Sequence, residues 1–379
     1  MKIGIDITPF LKKRKTGISW YTYYLVKNLA KIDKDNFYTL FGCSMGKYKD
    51  KFLLKKEINS ENFDISVKML PGNLVPAFLL FYPVELIHGK FDIIHILIHP
   101  YYCLHFFGKL VITFHDVVHL IFPEMFSPFE VETYKFAAKR AVKKANKIIA
   151  VSYSTKKDLI KYLNVKPEKI EVIHEGLYNF FDVIYNENMI EKIKLKYGVK
   201  KKYILSVGTI EPKKNHIRLL NAFVKIKKKI NDYQLIICGK PGWKAEEFYK
   251  RLSEINDQIK KDIIVTNYIP LNDLTILYKE ADIFVYPSLY EGFGFPILEA
   301  MNCGVPVITS NISSMPEVAG DAALLINPED EDDIANAILK LVEERELRKD
   351  LIKKGLERVK LFTWENTAKK TLKVYKELM

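Results

Sequence analysis

Short runs of strand-forming residues alternate with longer stretches of helical periodicity from one end of this chain to the other. That alternation admits few folds, because it calls for parallel sheets whose crossover helices cover both faces. The expected strands of the first half are residues 2–6, 37–42, 64–69, 92–96, 110–114, 147–151 and 170–174, with helices such as 21–31 and 129–144 between them. The series then starts afresh at Tyr203-Ile204-Leu205-Ser206-Val207-Gly208 and continues through 234–238, 263–265, 282–286, 305–309 and 323–326. This restart, in a chain of 379 residues, predicts two α/β domains, each able to bury its own core. A polar segment around Asn186-Glu187-Asn188 marks the join. The boundaries are set at 1–180 and 181–360, and a closing helix in 361–379, with Thr363 as its cap, is expected to return to the first domain. In open α/β folds loops gather at the carboxyl ends of the strands, so a ligand is expected where the two sheets present those ends.

The most informative such loop is Tyr290-Glu291-Gly292-Phe293-Gly294-Phe295-Pro296-Ile297-Leu298-Glu299-Ala300-Met301. It follows an apolar strand, and Pro296 suits the first position of a helix. Gly292 and Gly294 let the backbone approach a ligand, and the N–H groups and dipole at a helix start favour a phosphate. Glu299 is placed in the first helical turn, where a carboxylate can accept hydrogen bonds from ribose hydroxyls, as the acidic residue does in dinucleotide folds. The same residues also suit an ordinary helix start carrying two stabilising acids.

A second turn of this kind is Val207-Gly208-Thr209-Ile210-Glu211-Pro212-Lys213-Lys214-Asn215-His216. Lys213 or Lys214 could neutralise a diphosphate leaving group, although a Lys-Lys pair in a turn is more often simply solvated. In the first half, Val111-Ile112-Thr113-Phe114-His115-Asp116 sets an imidazole at a strand's carboxyl end, and Gly17 follows the first strand in a similar loop. His115 can be read as a structural histidine or as a site residue.

Charge and composition narrow the partners. The 59 basic residues exceed the 46 acidic ones by 13, which favours anionic partners such as diphosphates or an anionic membrane surface. No nucleic-acid recognition motif accompanies that charge. Cys43, Cys103, Cys238 and Cys303 include no CxxC pair, so neither a disulfide framework nor a thiolate zinc site is expected, and the simplest compartment is the cytoplasm. The N-terminus enters a strand pattern at once, without the features of a signal peptide. The apolar stretches 74–87 and 93–114 are broken by prolines, histidines and charges and do not read as membrane spans. The first of them, with the basic run Lys12-Lys13-Arg14-Lys15, could serve a peripheral membrane contact or an apolar acceptor. Asp33-Lys34-Asp35 and Asp330-Glu331-Asp332 have the DxD spacing of metal-dependent transferases, but read as surface features, the second a helix start. The pairs His95/His99 and His115/His119 have zinc-ligand spacing without the continuous helix it requires, so no metal is expected.

Over nearly its whole length the chain resembles glycosyltransferase family 4, the retaining GT-B enzymes, and within it the branch that includes bacterial and archaeal mannosyltransferases. The resemblance rests on Gly208-Thr209-Ile210-Glu211-Pro212-Lys213-Lys214-Asn215, on Gly239-Lys240-Pro241-Gly242-Trp243, on the stretch from Tyr290 to Met301, and on Ser313-Ser314-Met315-Pro316-Glu317-Val318-Ala319-Gly320-Asp321-Ala322-Ala323. It implies a GT-B fold, two Rossmann-like domains facing each other across a cleft, with the acceptor in the first and the donor in the second. It further implies that Glu291 contacts the donor sugar and Glu299 the ribose, that Lys214 binds the diphosphate, that His115 lies beside the transferred sugar, and that the Gly17 loop closes over donor and acceptor. Gly292, Phe293, Gly294 and Phe295 would supply amides to the diphosphate. Two positions depart from the pattern. Thr209 stands where many members carry an arginine, so Lys213 is expected to supply the missing cation; Gly17-Ile18-Ser19-Trp20-Tyr21 stands where relatives often carry Gly-Ile-Gly-Arg-Tyr. Ser19 is then expected to stiffen that loop, and an exposed Trp20 would suit a sugar face or a lipid tail.

The expected reaction is transfer of a hexose, in first place mannose from GDP-mannose, to a hydroxyl of a glycan or lipid-linked acceptor, without a cofactor. The alternatives are a sugar-nucleotide epimerase or hydrolase on the same fold, and a non-catalytic glycan-binding protein that keeps the architecture.

Overall fold

The computed structural model describes residues 1–11, 17–44, 57–58, 60–69, 84–97, 107–178 and 185–379. The chain divides into two compact units, one made of Met1–Gly176 with Phe362–Met379, the other of Leu177–Leu361. The basic run Lys12-Lys13-Arg14-Lys15, His99 and most of the apolar stretch 74–87 lie outside the described residues.

The first unit holds a seven-stranded sheet of β1 (Lys2–Asp6), β2 (Phe37–Ser44), β3 (Phe63–Met69), β4 (Ile93–Ile96), β5 (Lys109–Phe114), β6 (Lys147–Ala150) and β7 (Ile170–Val172), in the order β3-β2-β1-β4-β5-β6-β7. Every pairing is parallel. Strands covered on both faces can be apolar throughout, and Leu110, Val111, Ile112 and Phe114 of β5 are all buried. The last strand is shorter than its sequence suggests: β7 ends at Val172, and His174 instead gives its carbonyl to Thr367 at 2.8 Å.

That bond belongs to the closing helix Trp364–Glu377, which lies against the helix Gly17–Ile32. Thr363 caps it by accepting the Asn366 amide at 3.2 Å. Trp364 stacks on Tyr24 with centroids 5.5 Å apart, and the Tyr375 hydroxyl lies 2.6 Å from Nδ1 of the buried His95. Where the chain leaves the unit, a Cβ on Gly176 would stand 2.3 Å from the Trp364 nitrogen, so a side chain has no room there.

The second unit holds a six-stranded parallel sheet of β8 (Lys202–Val207), β9 (Tyr233–Cys238), β10 (Ile263–Thr266), β11 (Ile283–Tyr286), β12 (Val307–Ser310) and β13 (Ala323–Ile326), in the order β10-β9-β8-β11-β12-β13. The direction of strand succession reverses between β8 and β11, which pair directly at Ile204 with Ile283 and Leu205 with Phe284. Connections diverge at such a switch point and leave a crevice at the strands' carboxyl ends. The loops that follow β8 and β11 are those of Lys213-Lys214 and of Glu291, so topology alone makes them neighbours.

The two DxD triplets have structural work. Asp330 caps the helix Glu331–Glu343 by accepting the amides of Asp332 and Asp333 at 2.8 and 3.2 Å. Asp33 is not the surface residue its sequence context suggests: it is 3% exposed and accepts from the Asn36 side chain, the Tyr38 hydroxyl and two backbone amides, so it fixes the turn between the first helix and β2.

Candidate functional site

In the second unit, the β8 loop is built by close backbone crossings. The Gly208 amide donates to the Cys238 carbonyl at 2.9 Å, Ile210 to Lys240 at 2.9 Å, and Gly242 back to Ile210 at 3.0 Å. A Cβ on Gly239 would fall 1.8 Å from the Gly208 carbonyl oxygen, so only glycine allows this crossing. One turn of 3-10 helix, Pro212–Lys214, then ends at Asn215 with φ of 59°, and the buried Asn215 side chain donates through Nδ2 to the carbonyls of Pro287 and Pro328 at 3.0 and 2.6 Å. The Leu289 amide donates to the Lys213 carbonyl at 2.8 Å. The two loops are thereby laced together.

Lys214 points into this join. Its Nζ donates to Glu291 Oε1 at 2.6 Å and to the Tyr286 hydroxyl at 2.7 Å. Lys213 Nζ stands 3.9 Å from the other oxygen of Glu291, and the Ser288 hydroxyl lies 2.6 Å from Oε1. The backbone of Glu291 is held too: its amide donates to Ser313 Oγ at 3.1 Å, the Ser313 hydroxyl donates to the Glu291 carbonyl at 2.7 Å, and the Ser314 hydroxyl lies 2.6 Å from the Phe293 carbonyl. Burial pushes against ionisation of Glu291, but Lys214 and Lys213, with hydrogen bonds from Lys214 and Ser288, outweigh it and hold the carboxyl at about 2. Two lysines face the Glu291 carboxylate, and cations in such a position can receive a diphosphate.

Gly294 takes φ of 113°, a left-handed conformation that turns the chain into the helix Phe295–Asn302. The helix therefore begins one residue before Pro296, and Glu299, its fifth residue, falls in the second turn, not the first. Glu299 has a partner of its own, the Tyr278 hydroxyl at 2.8 Å. Burial raises its carboxyl to about 7 against the lowering effect of that bond. Gly292 and Phe293 are buried in the approach to the helix, and Phe295 stacks on Tyr178 with centroids 4.6 Å apart. Thr209 is half-buried beside Gly242, where an added Cβ would stand 2.4 Å from its methyl group.

In the first unit, His115 follows β5 and is paired with the buried Glu175, Nδ1 to Oε1, at 2.8 Å. Gly17 is the exposed first residue of the helix Gly17–Ile32, not part of an open loop, and a Cβ there would meet nothing within 4 Å. Ser19 is in the helix as well, fully buried, with its hydroxyl donating to the Pro9 carbonyl at 2.8 Å; it fastens the helix where a glycine could not. Trp20 is partly buried and packs edge-on to Tyr23, so it is not the exposed ring expected of it.

The structure thus gathers Lys213, Lys214 and Glu291 into one cluster, carries Glu299 on the helix that follows, and holds His115 and Gly17 in the other unit. Tyr286, Ser288, Tyr278 and Glu175, which aim or charge these groups, carry no signal in the local sequence. Asn215, Ser313 and Ser314 lie inside the family motifs, but their partners in the fold are not evident from the sequence. Among the described residues no three or more His, Cys, Asp or Glu side chains converge as a metal site, and no helix is long and apolar enough to cross a membrane.

Sequence profiles match both units: Glycosyltransferase Family 4 over residues 16–177 and Glycosyl transferases group 1 over residues 189–358. The O-antigen chain mannosyltransferase B of Escherichia coli is 32% identical over 389 residues, covering 100% of both chains. The chain belongs to the glycosyltransferases of family 4, group 1. The O-antigen chain mannosyltransferase RfbU of Salmonella typhimurium is 34% identical over 229 residues, 60% of this chain and 59% of that one. Among solved structures, Anabaena HepE in complex with UDP-glucose superposes with a TM-score of 0.76 at 17% identity over 100% of each chain, a likeness of fold. The fold is that of the GT-B glycosyltransferases, two Rossmann-like α/β units.

Proposed function

We propose that this glycosyltransferase is a retaining mannosyltransferase that uses GDP-mannose, and that its acceptor is a hydroxyl of a glycan or lipid-linked saccharide. The observation that carries the reading is the Lys213, Lys214 and Glu291 cluster at the switch point of the second sheet, in a chain 32% identical to an O-antigen mannosyltransferase along its full length. In this reading the diphosphate lies against Lys213 and Lys214 and the start of the helix at Gly292 to Phe295, with Thr209 beside it. Glu291 faces the sugar and Glu299 the ribose, while Gly17 and His115 belong to the sugar and acceptor side.

As the bond from the sugar carbon to the diphosphate breaks, negative charge grows on the phosphate oxygens and the lysines stabilise it. The acceptor oxygen bonds to the same face of that carbon, and its proton passes to an oxygen of the departing diphosphate. The products are GDP and a mannoside of unchanged anomeric configuration. Lysines in the place of a metal ion support a reaction without a resident metal, and no cofactor is needed; full activity in EDTA is the expected result. The excess of 13 positive charges supports a peripheral contact with an anionic membrane, and cysteines without a CxxC pair suit a reducing cytoplasm.

The test is incubation with GDP-mannose and an acceptor mixture, with NMR of the product. Transfer with an α-linkage supports the reading. Inversion contradicts the retaining step, and release of free or epimerised sugar in the absence of acceptor would move the assignment to a hydrolase or epimerase.

A further inference from the structure

His115 has an oxygen atom before each ring nitrogen. Nδ1 lies 2.8 Å from Glu175 Oε1, and Nε2 lies 3.2 Å from the Leu97 carbonyl oxygen. A backbone carbonyl accepts and cannot donate, so the hydrogen in that bond must be on Nε2. A neutral imidazole has one N–H and would spend it there, leaving the Nδ1 lone pair directed at a carboxylate that, once ionised, is acceptor-only as well. The arrangement therefore needs one further proton, and a doubly protonated ring satisfies both oxygens with one charge-assisted and one ordinary hydrogen bond.

The surroundings favour that charge. Glu175 is 3% exposed and His115 has little more contact with water, its side chain being 14% exposed, so an unpaired Glu175 carboxylate would carry a large desolvation cost. Tyr21 meets the imidazole edge-on with centroids 4.7 Å apart and is itself backed by Trp364. Burial pushes the Tyr21 hydroxyl well up, so it stays neutral. His95, held by Tyr375 and Thr113, is kept neutral by burial and then by the proximity of His115, at about 3. Asp116, the next residue, accepts the Val118 amide at 3.1 Å. Glu175 is thus the carboxylate in direct contact with the ring.

We propose that Glu175 is a positioning residue that holds His115 as an imidazolium, so that His115 meets its ligand as a fixed positive charge and not as a general base. The protonation state stands on the first unit alone; only its consequence for transfer rests on the function proposed above.

The deciding experiment is nitrogen-15 NMR of the full-length protein labelled at histidine, with the His115 signals identified by their loss in His115→Asn. Both ring nitrogens protonated near neutral pH is the expected result, with Glu175→Gln giving a singly protonated neutral ring and Glu175→Asp keeping the second proton. A singly protonated ring in the wild type overturns the proposal, as does a doubly protonated ring that survives in Glu175→Gln. Should Glu175→Gln fail to fold, the wild-type spectrum decides alone. With GDP-mannose as donor, Glu175→Gln is expected to lower kcat about 10²-fold at nearly unchanged KM, through loss of the fixed positive charge, with recovery in Glu175→Asp. A wild type inactive with GDP-mannose would count against that donor and leave the NMR result standing.

Discussion

At the residue scale, Glu291 and Glu299 are chemically alike and differ in what surrounds them. Glu291 faces two lysines and Glu299 a single tyrosine hydroxyl, so their carboxyls lie at about 2 and about 7. The linkage signs are opposite. For Glu291, depressed in the fold, the stabilisation is complete above the ordinary glutamate range and is lost as pH falls towards 2; for Glu299, raised in the fold, stability is complete below the ordinary range and is lost as pH climbs through 7. Glu299→Gln is accordingly expected to match the wild type near pH 4 and to exceed it above pH 7 by on the order of 1–3 kcal/mol, read by urea denaturation across pH. Equal slopes in the two proteins would show that Glu299 does not titrate there. Glu291→Gln leaves Lys213 and Lys214 without their carboxylate and is expected to cost about 3 kcal/mol, since removing one partner of a buried pair exposes the other. Little of this was legible in the sequence. Glu291 and Glu299 could be singled out by spacing and Lys214 by the family resemblance, but Tyr286, Tyr278 and Ser288 are ordinary strand, helix and loop residues until the fold brings them round.

At the element scale, the two loops of the candidate site depend on backbone conformations that need glycine. Gly239→Ala would drive a methyl group into the Gly208 carbonyl and is expected to destabilise the second unit by about 1–3 kcal/mol while displacing the lysine turn, which calorimetry and donor titration would both register. Gly294→Ala is expected to cost about 1–2 kcal/mol through its φ of 113°. Retained stability and donor affinity in both variants would mean that the loops do not rely on these crossings. The strands themselves were readable because parallel strands buried on two faces form unbroken apolar runs. Their ends were less so, and the helix after Gly294 shows why. Pro296 is acceptable at the first or second position of a helix, and the left-handed turn at Gly294 decides for the second, moving Glu299 one position along, from the first turn into the second. Ser19 shows the same limit: a residue read as stiffening a loop proves to be a buried anchor within a helix.

At the scale of the whole molecule, the chain returns to its starting unit, and residues hundreds of positions apart hold that unit together. The restart of the strand series was visible in the sequence, as was a capped closing helix; the Tyr375 hydroxyl reaching His95 was not, because nothing local pairs them. Tyr375→Phe is expected to cost about 1–3 kcal/mol by leaving a buried imidazole nitrogen unsatisfied, and ending the chain at Leu361 is expected to lower the thermal transition of the first unit far more than that of the second. Equal loss in both units would show that the helix supports more than the unit it packs on. In the function proposed above, the lysine and glutamate cluster of the second unit receives the donor diphosphate. The most direct test is the melting temperature of the wild type and of Lys214→Ala with GDP-mannose and with UDP-, ADP- and dTDP-sugars. GDP-mannose is expected to protect the wild type most, and Lys214→Ala to lose most of that protection; protection by none of these sugars, or equal protection of both proteins, would overturn this reading of the cluster.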